Sequence, residues 1–109
     1  MSEKELEQLF KKRVREKGGR AYKFVSPGTG GVPDRLVVLP EGKIGFVELK
    51  APGKKPRPDQ CCQQRKLEGL GCYVAVVDDP GMIDTVIQEI RDHAAGSTLP
   101  GMPEAGGRL

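Results

Sequence analysis

Two short stretches hold the residues best suited to chemistry. They are Gly31-Val32-Pro33-Asp34-Arg35 and, 14 residues after Asp34, Glu48-Leu49-Lys50. The second closes a run from Lys43 to Lys50 that reads as a strand. Alternation places Ile44, Phe46, Glu48 and Lys50 on one face, and Gly45, Val47 and Leu49 on the other. Both faces begin apolar, so the strand is expected in the interior of a sheet. A carboxylate and an ammonium then emerge together at its end, and such groups are almost never buried without a partner or a metal. Pro40-Glu41-Gly42, read as a three-residue hairpin loop with Gly42 in the left-handed position, pairs Leu39 with Lys43. Counting back along that register sets Asp34 opposite Glu48 on the same face, with Cβ atoms about 4.5–5.5 Å apart. Two carboxylates that close repel, unless a cation lies between them or one is protonated. A slip of one residue would part them, so the pairing depends on the loop.

Oxygen ligands of this kind suit a hard divalent cation such as magnesium or manganese. A metal held by Asp34, Glu48 and the Leu49 carbonyl would lower the pKa of a bound water and neutralise charge building on a phosphate. Lys50, on the face of Glu48, could orient the attacking water or stabilise the transition state. Spacing alone leaves another reading open, in which an Asp34–Lys50 salt bridge ends the hairpin and Glu48 turns to solvent. Zinc is not expected. Cys61, Cys62 and Cys72, two of them adjacent, with a single distant His93, do not provide four ligands at short paired spacings.

The elements that must position these groups follow from the apolar pattern. Residues 3–17 read as an amphipathic helix with Leu6, Leu9, Phe10 and Val14 on one side, Ser2 as N-cap and Gly18-Gly19 as the stop. Residues 21–25 are strand-like, and Ser26-Pro27-Gly28-Thr29-Gly30-Gly31 breaks them. Residues 34–39 and 43–50 form the hairpin. A basic loop with prolines at 52, 56 and 58 leads to a helix from Pro58 to about Leu70, ended by Gly71. Residues 72–77 read as a buried-type strand, and Asp79-Pro80 caps a second amphipathic helix striped by Ile83, Val86, Ile87 and Ile90. The order α-β-β-β-α-β-α predicts an α/β fold, a mixed sheet flanked by helices, over residues 1–95. A Gly- and Pro-rich tail, residues 96–109, is expected to be disordered. With 109 residues there is room for one small core, and a subunit interface would help it.

Charge is unevenly placed. Residues 1–23 carry eight basic groups against four glutamates, residues 43–66 seven against two carboxylates, and residues 78–95 reverse the sign. Such a split suits either a phosphate-binding face or an ordinary solvated surface. No apolar run approaches the 18 residues of a membrane span, and the charged N-terminus lacks the apolar stretch of a secretion signal. A reduced, cytoplasmic chain is expected.

At the residues already singled out the sequence resembles a known family. Pro33-Asp34 followed by Glu48-Leu49-Lys50 is the signature of the PD-(D/E)XK nuclease superfamily, whose restriction-endonuclease-like fold the element order matches. The longer string, Tyr22 to Gly28, then Gly31 to Arg35, then Phe46 to Lys54, is similar to its VRR-NUC branch, over roughly residues 3–90. That branch includes small stand-alone phage and bacterial proteins. The resemblance implies a magnesium- or manganese-dependent DNA endonuclease acting on branched or structured DNA, including four-way junctions, in which Asp34, Glu48 and Lys50 are catalytic. It implies a further glutamate on the first helix that completes the metal site, for which Glu7 is the first candidate and Glu3 the second. It also implies a role for Gln60 near the metal water or a phosphate oxygen, at a helix start that favours anions. Lys54, Lys55 and Arg57 are expected at the nucleic-acid backbone, with Lys23, Ser26 and Arg35 as further contacts. Few aromatics are free for stacking, so shape and backbone should dominate over base reading. One active site per chain implies a two-fold homodimer if two strands are cut symmetrically. Two other readings stay open, a catalytically idle nucleic-acid-binding module on the same fold and a restriction-like or single-strand nuclease.

Overall fold

Two amphipathic helices in the chain find their partners on one face of a single sheet. A computed structural model describes residues 1–94; the expected tail, residues 96–109, and the domain boundary at 95 lie outside the described residues. Helix α1 (Glu3–Glu16) starts in a capping box. Ser2 Oγ accepts from the Glu5 N–H and the Glu5 carboxylate accepts from the Ser2 N–H. Strand β1 (Arg20–Lys23) follows the glycine stop, then β2 (Arg35–Leu39) and β3 (Lys43–Leu49) form the hairpin. Helix α2 (Pro58–Gly69) crosses over to β4 (Tyr73–Val77), and α3 (Ile83–Asp92) closes the described chain after a 3-10 turn capped by Asp79. Strand order is β1-β2-β3-β4, antiparallel as far as β3 and parallel between β3 and β4. This is the mixed sheet flanked by helices that the pattern predicts, with β3 interior.

The hairpin loop sets the register. Leu39 pairs with Lys43, and Gly42 lies in the left-handed region at φ 72°, joined there by Glu41 at φ 69°. One face of the sheet is the core. Val37, Leu39, Val47, Leu49 and Val77 pack under Leu6, Phe10 and Val14 of α1 and under Ile83, Val86, Ile87 and Ile90 of α3, all at most 4% exposed. Each such side chain contributes about 1.5–3 kcal/mol on burial. Arg13 ties the two helices together, both oxygens of Asp84 lying 3.0 Å from its Nη1.

The opposite face differs. Helix α2 packs chiefly against β4 and buries only Gln60. Tyr22 and Ile44 stay 53% and 48% exposed on this face, with Leu36, Val38 and Phe46 half-buried between them. For the same reason β4 is not the fully buried strand expected. It is an edge strand, and only Val77 is buried. Among the described residues no helix is long and apolar enough to cross a membrane.

Candidate active site

Register brings the carboxylates together. Arg35 pairs with Val47, so Asp34 stands one step on, opposite Glu48. The two are interlocked through the backbone as well. The Asp34 N–H donates to Glu48 Oε1 and the Leu49 N–H donates to Asp34 Oδ2, both at 3.2 Å. Lys50 Nζ lies 3.2 Å from Glu48 Oε2, and the same oxygen accepts from Gln60 Nε2 at 2.9 Å. Glu48 is 1% exposed, so it does not turn to solvent, and Lys50 pairs with it rather than with Asp34.

Gln60 reaches this place because of where its helix starts. Pro58 sits in the first turn of α2, and Gln60, three residues after Arg57, accepts the Arg57 N–H with its Oε1 at 2.9 Å. That bond is one half of a capping box, and it aims the amide nitrogen at Glu48. Gly31 fixes the helix start from the other side. It has φ 82°, and a Cβ there would stand 2.7 Å from the Asp59 carbonyl oxygen. The loop before Asp34 therefore lies directly on the first turn of α2. In the sequence Gly31 is one glycine of a Gly-rich run that reads as a strand break, with nothing to single it out as a packing position.

Burial pushes the Glu48 carboxyl above its ordinary range, and the charge of Asp34 adds to the effect, against the opposing influence of Lys50. Two carboxylates that share a site at such a cost present a hard-oxygen donor set. Its chemistry fits a divalent cation. No group of three or more Asp, Glu, His or Cys side chains suited to a metal occurs among the described residues.

An open cleft of about 420 Å³ gives access to these groups. Lys23, Ser26 and Arg57 line it, as do Asp34, Glu48, Lys50 and Gln60. Lys54 and Lys55 are exposed on the adjoining loop but do not line it. Of the two helix candidates, Glu3 lines the cleft and its carboxylate accepts the Ala51 N–H at 3.3 Å. Glu7 lies elsewhere, 3.0 Å from the Arg35 guanidinium. Arg35, expected among the nucleic-acid contacts, is turned inward to 6% exposure and also donates to the Ala21 carbonyl. The reason is strand alternation, which sends Arg35 to the helix-covered face when Asp34 takes the cleft. Phe24 stacks obliquely on Phe46 at 5.5 Å, and Tyr73 donates to Glu89 at 2.6 Å, leaving Tyr22 as the exposed aromatic among the described residues.

Two known proteins are similar to this chain over most of the described residues. The chain is 57% identical over 76 residues to a protein of Acyrthosiphon pisum secondary endosymbiont phage 1 named "Putative nuclease p44", a match that covers 70% of this chain and 82% of that protein. A solved structure described as a VRR_NUC domain superposes with a TM-score of 0.74 at 32% identity, covering 81% of this chain and 97% of the other. No family model matches.

Proposed function

The chain belongs to the VRR-NUC family of nucleases, and from that membership we propose that it is a magnesium- or manganese-dependent endonuclease hydrolysing phosphodiesters of branched or otherwise structured DNA. What supports the reading is the convergence of Asp34, Glu48 and Lys50 in one open cleft. Asp34, Glu48 and the Leu49 carbonyl would hold the cation, with Glu3 rather than Glu7 reaching it through water. When bound, such a cation neutralises charge on the scissile phosphate and supplies an activated water.

The chain's own residues do the rest. Lys50 keeps a positive charge beside the reacting phosphate, where it orients the nucleophile and stabilises negative charge that develops in the transition state. Gln60 holds the Glu48 carboxylate in one orientation through a bond that needs no charge. Lys23, Ser26 and Arg57 sit where a phosphate backbone would enter, with Lys54 and Lys55 on the loop beside them.

The test is cleavage of a labelled panel (four-way junction, flap, splayed arm, linear duplex) with magnesium, manganese or calcium. Lys50→Met, Asp34→Asn and Glu48→Gln should each lower cleavage by about 10²-fold or more while DNA binding persists. Preferential cutting of the branched members supports the substrate assignment. Binding without cutting of any substrate in any metal would leave a binding module on a nuclease fold.

A further inference from the structure

We propose that a second cleft, beside the C-terminal end of α1, binds the phosphate backbone of a nucleic-acid arm that leaves the catalytic cleft along β1; the proposal rests on the reading that the catalytic cleft takes nucleic acid. This second cleft encloses about 340 Å³ and is lined by Lys11, Arg15, Arg20, Tyr22 and the Gly18-Gly19 turn. No carboxylate lines it. The four glutamates of residues 1–23 are each engaged elsewhere. Glu3 accepts from Ala51, Glu5 closes the helix cap, Glu7 pairs with Arg35, and Glu16 approaches Arg13 at 4.0 Å. Lys11, Arg15 and Arg20 have no ion-pair partner among the described residues.

Helix electrostatics do not account for this cluster. Arg15 lies in the last turn of α1, where a cation complements the macrodipole, but Lys11 stands a turn earlier and Arg20 belongs to β1. Three like charges around one concavity call for an anion. Geometry says which kind. Arg20 to Tyr22 line this cleft while Lys23, the next residue of the same strand, lines the catalytic one. From Arg20 to Lys23 is about 10 Å at 3.3 Å per residue, the axial rise of roughly three base pairs of a duplex. β1 is also an edge strand, so its outer side is open to a passing backbone. Contacts to phosphates carry no base sequence, which suits a surface with cations and one exposed ring.

The experiment measures DNA binding against salt, with every protein carrying Asp34→Asn so that nothing is cut. Lys11→Ala/Arg15→Ala/Arg20→Ala is compared with Arg65→Ala/Lys66→Ala/Arg91→Ala, which removes equal charge from α2 and α3 outside both clefts. The first set should flatten the slope of log K against log salt by about 2 to 3, close to 0.9 for each of three phosphates, and the second by less than about 1. Equal slopes for the two sets would overturn the second cleft and leave the catalytic one standing. If the Asp34→Asn parent binds no DNA at all, the nucleic-acid reading of the catalytic cleft fails and this proposal fails with it.

Discussion

Glu48 is a carboxylate that the fold alone makes uncomfortable. Its pKa is raised by burial first and by Asp34 second, so in metal-free protein the folded state holds on to a proton that the unfolded chain would release. Its contribution to stability is therefore fully present below the ordinary carboxylate range and is lost as pH climbs through the raised value. The proposed cation would reverse that loss. Thermal melts with manganese and with a chelator should coincide at acid pH and diverge towards neutrality. At a hundredfold excess over Kd the expected gain is about 2.7 kcal/mol, at roughly 4–8 °C per kcal/mol for a domain near this size. Identical melts at neutral pH would remove the metal from the site. Alternation and a three-residue loop were enough to read the Asp34–Glu48 pairing in the sequence. The resemblance put Glu7 ahead of Glu3, but both lie along one side of a helix and only the tertiary partner separates them, Arg35 holding Glu7 while Glu3 lines the cleft. That partner, Arg35, was itself illegible, since a guanidinium is seldom buried unless something in the fold pairs with it.

Among the elements, the decisive contact is between the loop before Asp34 and the first turn of α2. Gly31 and Gly53 share a positive φ, at 82° and 83°, but a Cβ on Gly53 meets nothing within 4 Å. Replacing either by alanine should cost about 1–2 kcal/mol for the left-handed backbone. Gly31→Ala should cost more, because its Cβ collides with Asp59 and pushes Gln60 away from Glu48. Urea unfolding of both variants, set beside their cleavage rates, checks this. Cleavage should fall with Gly31→Ala and hold with Gly53→Ala, and equal behaviour would mean that the contact does not position Gln60. Helix and strand limits were legible from caps, glycine stops and periodicity. The edge position of β4 was not, because an apolar run looks the same whether one or both of its faces are covered.

For the whole molecule, the division of labour runs through the sheet. One face holds α1 and α3 and nearly all the buried apolar surface, and the other holds α2, the cleft at one end and half-exposed Tyr22 and Ile44 elsewhere. If two strands are cut symmetrically, two active sites are needed, and light scattering at micromolar concentration should then give twice the chain mass. A monomer there would exclude paired cuts by a preformed assembly. Asp34 and Arg35, adjacent in the chain, serve these two faces separately: one meets Glu48 in the cleft, the other clasps Glu7 beneath α1. Inserting or deleting a single residue within β2 would carry the acid into oil and the base into the reaction chamber together. Length variation among relatives should therefore collect in the turns at 25–32 and 51–57, and spare the hairpin between them.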